Sequence, residues 1–136
     1  MKKLSTNSPC PCGSGNKYKK CCQKFHNGAK AKNALELMKS RYAAYATNNA
    51  KYIINTTHTN NPEYTSNTKE WLESIIYFCN NTEFISLDIL EFIDGESEAF
   101  VSFKAIMSGG EMIEKSRFLK EQGSWLYERG EVEVSH

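Results

Sequence analysis

Four of the five cysteines fall within thirteen residues, Cys10-Pro11-Cys12-Gly13-Ser14-Gly15-Asn16-Lys17-Tyr18-Lys19-Lys20-Cys21-Cys22, in a C-x-C-x8-C-C arrangement followed by His26. This is metal-ligand spacing. Zinc takes four soft or borderline ligands at tetrahedral corners, with Zn–S about 2.3 Å, and two short cysteine pairs brought together by a tight loop supply them. Pro11 stiffens the first pair, while Gly13 and Gly15 can take positive φ, so that the chain folds back and aims its amides at the sulfurs. The run from Asn16 to Lys20 is long enough for about one helical turn, which would deliver Cys21 and Cys22 to the ion. The competing reading is a pair of disulfides. Nothing in the sequence points to an oxidising compartment, and the rest of the chain is large enough for a core of its own, so zinc is the expectation. The fourth ligand stays open between Cys22 and His26, because adjacent cysteines chelate awkwardly. Four cysteine ligands would leave no position for water or substrate, the mark of a structural rather than a catalytic site.

Outside this stretch the candidates for chemistry are Arg41, Tyr42, Tyr45, His58, Asp88, Glu114 and Arg117. None forms a motif with a mechanism, so no catalytic residue is assigned and zinc is the sole cofactor expected. His58, in an Asn/Thr-rich loop, reads as a solvated residue and not a general base. Arg41 reads as the partner of a strand carboxylate such as Glu114, and the acids at 88, 91, 94, 96 and 98 as the exposed edge of a hairpin. Cys79, the odd cysteine, falls at an apolar helix end and reads as a small buried hydrophobe.

The net charge of +1 conceals an asymmetry. Residues 1 to 32 hold eight of the 17 basic residues and none of the 16 acidic ones, leaving nine basic against sixteen acidic beyond them, a balance of −7. Four thiolates and one Zn²⁺ would contribute −2 to the first segment, so it stays near +6. A basic patch of this kind binds phosphate backbones or an acidic protein face. The bland alternative is that the lysines solubilise a coreless appendage. With 40% hydrophobic and 24% charged residues, the chain falls outside the disordered and membrane classes. No apolar run of about 7 to 15 residues follows Met1-Lys2-Lys3, and none approaches the length of about 20 that spans a bilayer. A cytoplasmic location and no membrane partner are the expectation.

The elements that would position these residues follow in order. The stretch from Phe25 to Lys32 reads as a linker. Asn33 with Glu36 opens a helix over about 34–47, carrying Leu35, Met38, Tyr42 and Tyr45 on an apolar stripe. Residues 50–55 predict a short second helix, and 56–67, polar and interrupted by Pro62, a surface loop. Asn67 with Glu70 opens a helix through about Phe78, with Trp71, Leu72, Ile75, Ile76 and Cys79 inward. The period then changes: 84–93 alternates but shifts face at Leu90, which predicts a bulge there. Asp94-Gly95 signals a hairpin, and 97–107, 112–121 and 124–134 supply three more strands. Helices followed by a four-strand antiparallel meander make an α+β fold with the helices on one face of a curved sheet. The expected division is a zinc knuckle at 1–27 and the α+β domain at 28–136.

The stretch CPCGSGNKYKKCC resembles the SEC-C motif, named for the zinc-binding C-terminus of the SecA translocase ATPase. The resemblance implies zinc on Cys10, Cys12, Cys21 and Cys22, and, since such elements in the translocase contact a chaperone and the ribosome, a protein or ribonucleoprotein partner. The run from Leu37 to Tyr45, the Tyr52…Thr56-Thr57-His58 stretch, and Glu114-Lys115-Ser116-Arg117-Phe118 leading into Trp125-Leu126-Tyr127-Glu128-Arg129-Gly130 resemble the bacterial YchJ family. That family joins a SEC-C motif to a cone-shaped domain similar to nuclear transport factor 2. The chain departs from the family at Lys39, where arginine is usual, and at Thr57 and Thr59, where tryptophan and proline are.

The function these features imply is a zinc-binding interaction protein, whose basic four-cysteine knuckle docks a protein or ribonucleoprotein while the cone serves as scaffold. Nucleic acid is a candidate partner, as is a second copy of the chain through the sheet. The alternative class is a small-molecule-binding protein or enzyme using the cone. A redox or metal-storage role for the cysteines has little in its favour. Strands 97–107 and 112–121, with Tyr42, Tyr45 and Trp71, supply more apolar surface than one face of such a sheet needs. The expectation is that they fill the cone; the alternative is a cavity with Arg41 and Glu114 as convergent polar groups.

Overall fold

The structure, a computed structural model, describes residues 5–133. Lys2, Lys3 and the expected end of the last strand at 134 lie outside the described residues. A single turn of 3-10 helix at Tyr18–Lys20 precedes α1 (Gln23–His26), α2 (Ala34–Ala46), α3 (Ala50–Asn55) and α4 (Thr68–Asn80). Four strands follow, β1 (Phe84–Ile93), β2 (Glu98–Met107), β3 (Gly110–Glu121) and β4 (Ser124–Glu133), paired antiparallel in the order β1-β2-β3-β4.

Three helices start on asparagine. The side chains of Asn33, Asn49 and Asn67 accept hydrogen bonds from the amides of Glu36, Tyr52 and Glu70 at 2.9, 3.2 and 3.3 Å, each taking up one of the donors a helix start leaves free. The reciprocal half of the expected capping box is displaced by one residue, since Glu36 accepts from the Lys32 amide instead of from Asn33.

The predicted face shift in β1 is a bulge. Its register against β2 slips between Ile89 and Glu91, leaving Leu90 unpaired, and also between Phe84 and Ser86, and a third slip occurs between Arg117 and Phe118 where β3 pairs with β4. Each bulge adds local twist and bends its strand, which curves the sheet around α2.

Helix α2 is the hub, and it is buried on nearly every side. Leu37, Met38 and Tyr42 join Leu87, Val101, Phe103, Phe118 and Trp125 in the core over the sheet. Ala44 belongs to a second cluster with Ala50, Ile53, Trp71, Ile75 and Cys79, so α3 and α4 cover α2 from the far side. Ala43, fully buried, packs with Cys10, Cys12 and Cys22. A helix covered on three sides is apolar nearly all round and so reads as a broader stripe than a surface helix would.

Two expectations hold only in part. The supposed linker begins too early, because Phe25 is buried and His26 is tied to α2; the connection is the short stretch after them. The surface loop at 56–67 is anchored at its start. Thr57 bridges Tyr127 in parallel, the Tyr127 amide donates to the Thr56 carbonyl, and the Asn61 side chain donates to the Glu128 carbonyl, each donor lying 2.8 Å from its acceptor. These bonds cover part of the free edge of β4, which would otherwise present unpaired backbone groups.

Candidate metal centre and cone cavity

The knuckle is built by a tight reversal. Pro9 bridges Lys17, the Cys10 amide donates to the Asn16 carbonyl at 2.8 Å, and the Tyr18 amide to the Ser8 carbonyl at 2.8 Å. Gly13 and Gly15 take φ of +82° and +86°, the left-handed backbone that a side chain disfavours. The 3-10 turn then returns Cys21 and Cys22 to the first pair. The sulfurs of Cys10, Cys12, Cys21 and Cys22 all lie within 4.8 Å of one another. Cys12 and Cys21 are 3.5 Å apart and Cys21 and Cys22 are 4.0 Å apart. A tetrahedron with ligand bonds of about 2.3 Å has sulfur edges of about 3.8 Å, so the spacing suits one tetrahedral ion. It is far from the sulfur separation of about 2.05 Å in a disulfide.

The electrostatics of the thiols favour a cation. Contacts with Cys10 and Cys22 hold the Cys12 thiol well below the usual range. The bond to Cys12 pushes Cys10 up to about 11, and the bonds to Cys10 and Cys12, with burial, push Cys22 far up. Further thiolates form in so small a volume only when a positive ion is bound among them. The four residues are therefore a group that can hold a metal ion. The Ser14 hydroxyl lies 3.2 Å from the Cys21 sulfur, where it can donate to a thiolate.

His26 stands apart from this group. Its Nε2 donates to the Ser40 carbonyl at 2.9 Å, which leaves Nδ1 as acceptor for the Tyr18 hydroxyl at 2.6 Å. Both ring nitrogens are thus occupied, and burial lowers the pKa from its ordinary value and keeps the ring neutral. The chain of contacts continues: the Ser40 hydroxyl donates to the Leu37 carbonyl and accepts from the Tyr52 hydroxyl at 2.7 Å, and the Tyr52 ring lies 4.8 Å from that of His26. His26 clamps the knuckle to α2.

Around the buried sulfurs the lysines are exposed. Lys17, Lys19, Lys20, Lys24, Lys30 and Lys32 all face solvent. Among the described residues Lys32 pairs with Glu36 at 3.7 Å, and the other five have no carboxylate partner.

The cone is not filled, contrary to expectation. Between α2, the end of α4 and the concave face of the sheet lies a cavity of about 290 Å³. Tyr42, Tyr45, Phe78, Phe84 and Phe103 are among its walls, with Arg41, Glu114 and Ser116 as its polar members. The rings pack edge-on, Tyr42 and Phe78 each against Phe84, and these rigid contacts hold the walls apart. Arg41 does not pair with Glu114. Its Nη1 donates to the Ile53 carbonyl, the Thr56 hydroxyl and the Thr57 hydroxyl at 3.0, 2.7 and 3.2 Å, and its guanidinium stacks on Tyr127 at 4.5 Å. Glu114 Oε2 accepts from Ser116 at 2.5 Å and Tyr127 at 3.1 Å. Gly130 makes room for that carboxylate, since a Cβ there would collide with it.

His58 is buried, not solvated: Nδ1 accepts the Asn60 amide at 2.9 Å, so Nε2 carries the proton toward Glu121, also at 2.9 Å. Arg117 is paired with both Glu98 and Glu128, while Asp88 and its acidic neighbours along the hairpin are exposed as expected. Cys79 is buried beside Trp71 and Ile75. Reading the residues one by one missed the oxygens that receive Arg41 and the clamp at His26. Thr56 does lie in the Tyr52…His58 stretch that carries the family resemblance, which is the available signal, whereas Thr57 is one of the chain's departures from the family.

A cysteine knuckle fastened to a helix-backed curved sheet defines the class, a SEC-C motif joined to a cone domain similar to nuclear transport factor 2. Family models agree: the SEC-C motif matches residues 7–24, and the YchJ middle NTF2-like domain matches residues 33–130. The chain belongs to the YchJ family. It is 35% identical to a UPF0225 protein of Streptomyces coelicolor over 90% of this chain and 94% of that one. The solution structure of a SEC-C motif containing protein from Rhodopseudomonas palustris superposes with a TM-score of 0.74 at 30% identity, covering 91% of this chain and 98% of that one. The crystal structure of another, from Psychrobacter arcticus, gives 0.77 at 24% identity over 96% and 86%, a likeness of fold.

Proposed function

We propose that the protein is a docking protein whose knuckle, folded by one zinc ion on Cys10, Cys12, Cys21 and Cys22, presents a basic surface to an acidic protein or a ribonucleoprotein in a reducing compartment such as the cytoplasm. The cone is its scaffold. The observation that carries this reading is the division of labour within the knuckle. Three of the four ligand cysteines are buried, while all six described lysines of that end face solvent and five lack a carboxylate partner among the described residues. Lysines that served only to offset thiolates would gain most by lying against the sulfurs. Zinc is favoured over other ions by the all-thiolate donor set and the tetrahedral spacing.

The test is retention of partners on immobilised protein. Changing Lys17, Lys19 and Lys20 to Glu should abolish capture from lysate while leaving the zinc content at one per chain, and wild-type capture should weaken steeply with salt. Loss of the partner on nuclease treatment assigns a ribonucleoprotein, and survival assigns an acidic protein face. Undiminished capture by the triple-Glu variant would overturn the reading.

A further inference from the structure

Resting on the docking reading above and naming its partner, we propose that the docking surface crosses from the knuckle onto the β3–β4 hairpin, and that its occupant is the phosphate backbone of a base-paired RNA. Where the two parts meet lies a groove of about 260 Å³, between the exit of the knuckle, the end of α3 and the hairpin. Phe25 and Lys30 stand on the knuckle side, Ser124 and Trp125 on the hairpin side, and Asn55 at the end of α3.

Three lysines are held against these walls. Lys24 Nζ lies 5.0 Å from the centre of the Phe25 ring, and Lys120 Nζ 5.8 Å from that of Trp125. Lys30 reaches across the groove, its Nζ 3.8 Å from the point where a Cβ on Gly123 would stand. All three lysines are exposed, and none has a carboxylate partner among the described residues. No acidic residue is among those that line the groove. The Asn55 amide and the Ser124 hydroxyl, both at its walls, make no hydrogen bond among the described residues. Cations at the rim, neutral donors between them and no carboxylate nearby make up the set of groups that takes up phosphate oxygens. Because Lys120 and Ser124 belong to the sheet, the cone contributes contacts of its own.

The composition of this end of the molecule separates a nucleic acid from a protein partner. Its cations are all lysine, since no arginine occurs in residues 1–40 or in 119–126. Nor does it offer an apolar anchor. Among the described residues the large hydrophobic side chains left exposed fall within 64–93 or at Val132. Protein interfaces are built around aromatic and arginine anchors and are poor in lysine, so an acidic protein face finds little to hold here. A single strand needs open ring faces on which its bases stack, and Phe25 and Trp125 are buried. Unpaired lysines without such anchors suit a dense row of phosphates, whose condensed counterions they release, and a base-paired helix carries the denser row. In the ribonucleoprotein of the docking reading that helix is RNA.

The experiment titrates a labelled RNA duplex of about 16 base pairs with full-length, zinc-loaded protein at several salt concentrations, read by fluorescence anisotropy. One phosphate contact adds about 0.9 to the slope of log affinity against log salt, which at about 0.1 M salt is worth about eightfold. Lys30→Ala and Lys120→Ala should each lower the slope and the affinity by about that much, and Lys120→Arg should restore both. Asn55→Ala should weaken binding by about three- to tenfold, the value of one hydrogen bond, at an unchanged slope. Zinc content and melting temperature confirm that the variants fold. Polyglutamate and the unpaired strand should each bind about tenfold or more weakly than the duplex. Slopes unchanged in both Lys30→Ala and Lys120→Ala, or polyglutamate bound as tightly as the duplex, would overturn the proposal. Duplex binding lost on changing Lys17, Lys19 and Lys20 to Glu but indifferent to Lys30 and Lys120 would remove the groove and keep the knuckle as the docking surface. The converse would keep the groove and remove the knuckle.

Discussion

The knuckle and the cone stand against α2 from different sides, and they are held by different forces. The cone buries Phe118, Val101 and Leu37 almost completely in an apolar core. The knuckle has no such core. Its interior consists of cysteine sulfurs resting on Ala43, with Phe25 and the His26 clamp at its exit. A segment this small buries little apolar surface to offset the conformational entropy of ordering it, and an ion bound by the four cysteines would supply the difference. The contrast separates two sources of stability: the hydrophobic effect holds the platform, and on the proposed reading a metal ion on the four cysteines would hold the knuckle.

Mutations on the two sides should therefore have separable effects. The largest is in the cone, where Phe118→Ala should lower the stability to urea by about 3–5 kcal/mol through a cavity in the core, with zinc content unchanged. Release of metal at the same time would mean that the two regions unfold together. Arg41→Leu comes next. It strips a charged donor from the Ile53 carbonyl and from Thr56 and Thr57, and should cost about 2–4 kcal/mol in the same measurement, again sparing the metal.

The smallest effect sharpens the comparison at the joint. His26→Gln should cost about 1–2 kcal/mol and speed amide exchange in residues 5–26 more than in β2 or β3. Burial depresses the folded-state pKa of His26 below its ordinary 6.5, so as pH falls the unfolded chain takes up the proton first. The contribution of His26 is thus complete above about pH 6.5 and declines as the pH drops below it. The stability gap between wild type and His26→Gln should narrow on acidification, and a gap that widened there would contradict a neutral, buried clamp.

What was legible in the sequence was local. The asparagine caps at 33 and 67, the period change at residue 84 and the slip at Leu90 are each decided by residues close in the chain, and the structure carries them all. The grouping of the four cysteines was legible for the same reason, since a single tight loop joins them. The rest depends on what packs against what. His58 looks solvated among its Asn and Thr neighbours and is buried because β4 pairs with the residues beside it. Arg41 looks like one half of an ion pair, but the end of α3 brings it a carbonyl and two threonines. The cavity was least legible, because composition gives the amount of apolar surface and not whether rings locked edge-on leave a space between them.

The central claim is that metal folds the knuckle on a platform that stands without it. Hydrogen exchange of the reduced, full-length protein before and after removal of its metal by a chelator tests this most directly. The account predicts one zinc per chain at the start and, once it is removed, loss of amide protection across residues 5–26 with protection in α2, β2 and β3 retained. Protection of residues 5–26 that survives chelation, or its simultaneous loss from the sheet, would contradict it.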